Sequence, residues 1–111
     1  EASAREVPRF DLIFLGLGPD GHTVSLFPGH TALDETRRLV IPIADSPKPP
    51  PGRVTFTLPL LNAARNVVFL ATGSEKREAC ARARRGDRAL PAGRVSPAEG
   101  RLLWLIDRNA S

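Results

Sequence analysis

Asp20 and His22 stand two residues apart, with Gly21 between them and Gly18 just ahead, in the run Gly16-Leu-Gly-Pro-Asp-Gly-His-Thr23. Histidine has an ordinary pKa of about 6.5, so it can take a proton from water at neutral pH; a neighbouring carboxylate can fix its tautomer and stabilise its cation. Flanking glycines let the backbone approach a ligand and offer N–H donors to a developing oxyanion. Together these residues have the chemistry to activate water against an electrophilic carbonyl. The same residues also suit a tight turn whose polar groups satisfy only local backbone. The glycines alone match the dinucleotide pattern G-x-G-x-x-G, with Asp45 near the distance of a ribose-binding acid. That fold needs a long helix straight after the third glycine to hold a pyrophosphate, and Pro28-Gly29 end any helix within about two turns. The glycine spacing therefore points to the wrong cofactor. Two further residues stand out by composition: fourteen of the sixteen basic residues are arginine, and the exceptions are Lys48 and Lys76.

The elements that must position these groups are short. Phe10 to Leu15 is an apolar run bounded by Gly16 and reads as a strand buried on both faces, which sets Asp20 and His22 just beyond its carboxyl end, where open α/β sheets bind ligands. Thr23 to Phe27 allows a short helical turn. Leu39 to Ala44 is a second strand candidate, and residues 45–52, with Pro47, Pro49, Pro50 and Pro51, form an extended loop. Val54 to Leu58 reads as a strand, followed by a short helix from Pro59 through Ala64. Val67 to Ala71 is the clearest remaining strand, and Thr72-Gly-Ser-Glu75 resembles a capping box that opens a helix through about Arg85. Residues 86–100 are loop-rich, and Leu102 to Ile106 is a final buried strand ending at Asp107. Strands separated by helices and loops predict an α/β fold built on a parallel sheet with flanking helices.

Length and composition bound the rest. A chain of 111 residues makes one small domain or part of one. No apolar run approaches the roughly 18 residues of a membrane span. The single cysteine, Cys80, cannot form an internal disulfide, which fits a cytoplasmic protein. It lies on a small-residue helix face with Ala79 and Ala83 and reads as packing. Trp104 lies within an apolar strand and reads as core, while His30, after Pro28-Gly29, reads as a solvent-facing loop residue. The net charge of +4 is spread along the chain, so small acidic metabolites fit as well as nucleic acid. The arginines between Arg77 and Arg88 have no aromatic partners for stacking bases, and a solvated helix face accounts for them.

Five separated blocks carry a family resemblance: Gly16 to Gly29 (GLGPDGHTVSLFPG), Lys48 to Thr55 (KPPPGRVT), Leu58 to Arg65 (LPLLNAAR), Thr72 to Lys76 (TGSEK) and Leu103 to Asp107 (LWLID). In this order they resemble the 6-phosphogluconolactonases of the sugar-phosphate isomerase superfamily, and specifically their C-terminal half. The resemblance implies the C-terminal half of that α/β fold, hydrolysis of 6-phospho-D-glucono-1,5-lactone to 6-phosphogluconate in the pentose phosphate pathway, and no metal or organic cofactor. It gives His22 the role of base, with Asp20 orienting or charge-balancing it, and puts Gly18 and Gly21 at the substrate. It makes Lys76 the first candidate for the phosphate and Arg53 and Lys48 weaker ones. Related deaminases want a glutamate a few residues after the histidine, and Thr23-Val-Ser-Leu-Phe27 has no acid. The family's N-terminal half would bring a second phosphate loop and further strands. Without them the expectations are a single partial domain, weak activity of the chain alone, association through an uncovered sheet edge, and no nucleic-acid or membrane partner. A non-catalytic sugar-phosphate-binding or interaction fragment is the alternative function.

Overall fold

The computed structural model describes residues 7–111. Its strands are β1 (Ile13–Gly16), β2 (Val40–Ile43), β3 (Arg53–Phe56), β4 (Asn66–Ala71) and β5 (Arg101–Ile106). Two short α-helices, α1 (Leu58–Leu61) and α2 (Arg77–Arg84), are accompanied by 3-10 turns at Thr31–Asp34, Ser74–Lys76 and Pro91–Arg94. Strands β1, β4 and β5 form a parallel sheet in the order β1-β4-β5, so the α/β class read from the sequence holds. The chain departs from that reading at β2 and β3, which pair with each other antiparallel as a separate ribbon. Their connection is the proline loop, which contains a cis peptide between Pro49 and Pro50. Within it Ser46 donates its backbone N–H to Pro51 O at 2.9 Å, bringing the ends of the loop together. A loop so closed returns the chain alongside itself, whereas a parallel pair needs a long crossover.

The sheet explains where the core lies. Along β1, Ile13 and Leu15 point to one face with Val67, Phe69 and Ala71 of β4, and all five are buried. Both helices and the connecting loops pack on this face: Leu26, Leu33, Leu58, Leu61, Ala79, Cys80, Ala83, Leu90 and Val95 complete one apolar cluster with it. Trp104 joins its margin, half-buried and stacked on Phe69 with ring centres 4.2 Å apart. Alternate residues point the other way. Register sets Phe14 beside Val68 and Val68 beside Leu103, and likewise Gly16 beside Leu70 and Leu70 beside Leu105. Phe14, Leu70, Leu103 and Leu105 are 59%, 46%, 46% and 56% exposed. The expectations that β1 is buried on both faces and that β5 is a buried strand are therefore corrected: β1 buries Ile13 and Leu15 but leaves Phe14 exposed, and every residue of β5 is at least partly exposed.

Three local readings also change. Thr23 to Phe27 forms no helix but a tight turn in which Leu26 donates its N–H to Thr23 O at 3.0 Å. The capping box does not form; Gly73 precedes the 3-10 turn without a side-chain cap. Helix α1 stops at Leu61, and Asn62 ends it by donating its N–H to Leu58 O and Leu60 O.

Candidate active site

The carboxyl end of β1 runs into a loop that folds on itself. Thr23, fully buried, donates its hydroxyl to Gly16 O at 2.8 Å, so the loop is closed back onto the strand end. Gly18 donates its N–H to His22 O at 2.9 Å, and Gly21 donates to Gly18 O at 2.9 Å. These two donors are thus used inside the loop and are not the oxyanion donors that the sequence offered. The glycines act through size and conformation instead. A methyl at Gly18 would fall within contact distance of His22 Cε1 and Nδ1 and stand 2.8 Å from Asp20 Oδ1. Gly21 has φ +90°, and a side chain there would meet Leu90. Val24, at φ 47°, is the sole non-glycine residue with a positive φ among those described. A β-branched residue in that region is strained, and strain of this kind gathers at functional loops.

This loop presses the imidazole of His22 against Asp20. Nδ1 lies 2.6 Å from Asp20 Oδ1, and the same oxygen accepts the backbone N–H of His22 at 3.1 Å. A carboxylate in this position keeps the proton on Nδ1 and leaves Nε2 as the basic nitrogen. Partial burial pushes the Asp20 carboxyl upward, but the two hydrogen bonds from His22, with the charges of His22 and Lys48, outweigh it and hold the group below its ordinary range. Asp20 is therefore ionised at neutral pH and can stabilise a cationic His22.

A cavity of about 440 Å³ opens on His22, lined by residues 16–19, His22, Thr23, Val24 and Lys76. Lys76 reaches it from the 3-10 turn ahead of α2, one residue before the helix instead of in its first turn. Asp107, at the end of β5, accepts the N–H of Gly73 at 3.2 Å on both carboxylate oxygens and so holds the segment that carries Lys76. Of the residues singled out in the sequence, Gly18, His22 and Lys76 share this cavity, and Asp20 and Gly21 stand behind it. Lys48 and Arg53 do not line it. Lys48 is exposed, and Arg53 donates to the carbonyls of the proline loop.

Sequence reasoning passed over one side chain beside His22 and misread another farther off. Phe27 lies 4.7 Å from the His22 ring at 33°, and it appeared only as a motif letter. His30 is not a solvent-facing loop residue: its Nδ1 accepts the N–H of Ala32 at 3.0 Å and its Nε2 meets Asp45 Oδ1 at 2.8 Å. Asp45 is consequently engaged by His30, and no helix follows Gly21, so the dinucleotide reading has neither its acid nor its helix. Cys80 is buried, and burial pushes its thiol up, away from nucleophilic use. Among the described residues no three His, Cys, Asp or Glu side chains converge to hold a metal ion.

Comparison with known proteins finds one family. Residues 1–104 match the family model described as glucosamine-6-phosphate isomerases/6-phosphogluconolactonase. A 6-phosphogluconolactonase of Rattus norvegicus is 56% identical over 106 residues, which are 95% of this chain and 41% of the rat protein. The 6-phosphogluconolactonase of Homo sapiens is 53% identical over 107 residues, 95% of this chain and 42% of the human protein. The solved structure of 6-phosphogluconolactonase from Trypanosoma brucei superposes with a TM-score of 0.78 at 37% identity, covering 93% of this chain and 41% of that one. The chain thus spans about two fifths of the length of the curated relatives it matches.

Proposed function

Because the chain belongs to the glucosamine-6-phosphate isomerase/6-phosphogluconolactonase family, we propose that it carries the water-activating site of a 6-phosphogluconolactonase. The reaction is hydrolysis of 6-phospho-D-glucono-1,5-lactone to 6-phosphogluconate, in the pentose phosphate pathway. One observation carries the proposal: His22 is held 2.6 Å from an ionised Asp20 on the wall of the cavity that Lys76 also lines. Nε2 of His22 takes a proton from water as the water oxygen bonds to the lactone carbonyl carbon. The tetrahedral oxyanion then collapses with cleavage of the bond to the ring oxygen, and the proton on His22 passes to that leaving alkoxide. Asp20 keeps the ring in the right tautomer and balances its charge while the proton resides there. Lys76 meets the substrate's phosphate as a point charge, and Gly18 and Gly21 give the loop its close fit at the reacting end. Lys48 acts through its charge, which helps keep Asp20 ionised. The residues require no metal or organic cofactor for this sequence of steps. Nucleic acid and membrane are not among the proposed partners, and the proposed location is the cytoplasm.

His22→Ala is the test, in a lactone-hydrolysis assay that follows acid release. The expected result is a loss of about 10²- to 10⁴-fold in kcat with KM little changed. Unchanged turnover removes His22 from the mechanism. A second reading, a sugar-phosphate-binding or interaction fragment without turnover, is favoured by the uncovered apolar face of the sheet and by β1 as an edge strand. Under that reading 6-phosphogluconate binds, Lys76→Ala abolishes the binding, and no variant changes the rate of lactone loss.

A further inference from the structure

Arg53 opens β3, half-buried, with its donors spent on the chain itself. Nε–H donates to Pro50 O at 3.1 Å. One terminal nitrogen donates to Lys48 O at 3.1 Å and Pro49 O at 2.8 Å, and the other to Ser25 Oγ at 3.3 Å. A guanidinium has five N–H donors in a planar fork, so little of it is left for a phosphate. Its charge also lies over an aromatic ring, with Cζ 5.4 Å from the centre of Phe27. Phe27, 1% exposed, in turn lies against the His22 imidazole. Contact therefore runs from guanidinium to phenyl to imidazole.

The other restraints on His22 are local. Asp20 fixes the ring against its own loop, and Thr23 fixes that loop to the end of β1. Neither ties the turn at residues 23–27 to the ribbon. Arg53 does so through Ser25 and Phe27, with help from Thr55 Oγ1, which accepts the Ser25 N–H at 3.1 Å. By grasping three successive carbonyls of the proline loop it also sets the backbone of Lys48, whose charge acts on Asp20. We infer that Arg53 is a positioning residue, one that clamps the proline loop to Phe27 and thereby holds the His22 imidazole in place against Asp20, and that it is not a ligand of the substrate's phosphate.

The catalytic consequence of this clamp rests on His22 being the base, whereas the placement of the ring does not, so the test reads the ring directly. With ¹⁵N-labelled histidine the chain has two imidazoles to assign, and the single Trp104 gives an independent near-UV signature of the folded state. In the unsubstituted chain His22 is expected to show widely separated ring-nitrogen shifts, as one tautomer dictates. Arg53→Gln and Phe27→Leu are both expected to bring those two shifts together as the tautomers mix, with the Trp104 signature retained. Arg53→Lys, which keeps the charge and loses the fork, is expected to show the same loss in part. Inorganic phosphate is expected to perturb the spectra of the Arg53→Gln chain as it does those of the unsubstituted chain. Unchanged His22 shifts in folded Arg53→Gln and Phe27→Leu overturn the inference, as does a loss of phosphate response confined to Arg53→Gln. Should Arg53→Gln lose the Trp104 signature, Arg53→Lys decides by the same criterion. A failed His22→Ala rate test with the expected histidine spectra would discard the base and leave the clamp standing.

Discussion

Gly18→Ala should disable the site while Gly16→Ala, two residues away in the same motif, should leave it intact. A methyl at Gly18 has no room: it meets the imidazole of His22 on one side and Asp20 Oδ1 at 2.8 Å on the other. At Gly16 no heavy atom lies within 4 Å of the added carbon. Ordinary carbon contacts begin near 3.5 Å, so in Gly18→Ala the ring has to retreat by about 1 Å. The Asp20–His22 distance of 2.6 Å then passes the limit of a hydrogen bond. Overpacking of this kind costs about 1–3 kcal/mol of stability, and a displacement of about 1 Å at a reacting group costs on the order of 10²-fold in rate. The sign of a third effect follows from the causes acting on Asp20. Burial pushes its carboxyl up and the hydrogen bonds from His22 bring it down, so release of His22 must raise its titration midpoint. In the unsubstituted chain the pair contributes stability that is present above the ordinary carboxylate range and is lost as pH falls through the depressed midpoint. Gly18→Ala should therefore weaken the dependence of stability on pH in the acid range. Urea unfolding at several pH values, carboxyl NMR titration of Asp20 and the lactone assay measure these three effects. An Asp20 midpoint and a turnover rate in Gly18→Ala equal to those of Gly16→Ala would refute the argument.

Other expectations are more briefly stated. Lys76→Ala should raise KM by about tenfold or more with a smaller effect on kcat, since a phosphate far from the bond being broken supplies mainly binding; an equal loss in both would make Lys76 part of the chemistry. Glu35 is held down to about 2 by the backbone and side chain of Arg38 and the backbone of Arg37, against 4.5 for the free group. Its contribution to stability is thus complete above about 4.5 and disappears as pH falls toward 2, and Glu35→Gln should flatten the urea midpoint across that window. The open face of the sheet should drive association: Leu103→Lys with Leu105→Lys is expected to shift the sedimentation of the chain toward monomer without loss of the Trp104 signature. A monomeric unsubstituted chain would show that four exposed large side chains are not enough.

The parts of this structure legible in the sequence are those that local chemistry decides. Val67 to Ala71 could be read as a central strand because β-branched and aromatic residues fill it without interruption, and β4 follows within one residue. The Asp20-Gly-His22 pair could be read because two residues of separation on a tight turn can bring a carboxylate to its own neighbour. What escaped depended on distant partners. Apolar residues on both faces of β1 announce that both must be covered, and they carry no information on whether the cover lies within these residues. The Thr72 to Glu75 box had the right letters, but the α-helix begins only at Arg77, after a 3-10 turn whose preceding Gly73 is held through its N–H by Asp107, thirty-four residues away. Arg53 resembled a ligand because an arginine beside a flexible loop is ordinarily free. Its fork was already filled by carbonyls, and only the folded proline loop could reveal that.

Parallel pairing is what brings the pieces of the site together, and its register makes the arrangement tight. Gly16 lies level with Leu70, and Ala71 lies level with Ile106, so three carboxyl ends come out along one edge of the sheet. From the first leaves the loop bearing Asp20 and His22, from the second the segment bearing Lys76, and from the third Asp107, which pins that segment at Gly73. Were β5 antiparallel to β4, Asp107 would lie at the opposite end of the sheet and Gly73 would have no such acceptor. Were β4 shifted by one residue, Lys76 would move by about 3.3 Å relative to His22. Such a slip would also exchange the two faces of β4, putting Phe69 on the open side and Leu70 in the core. Burial of Val67, Phe69 and Ala71 therefore fixes more than stability. The hydrophobic alternation that selects one register for packing also sets the distance from His22 to Lys76, and under the proposed mechanism a substitution that shifts that register should be read first in KM.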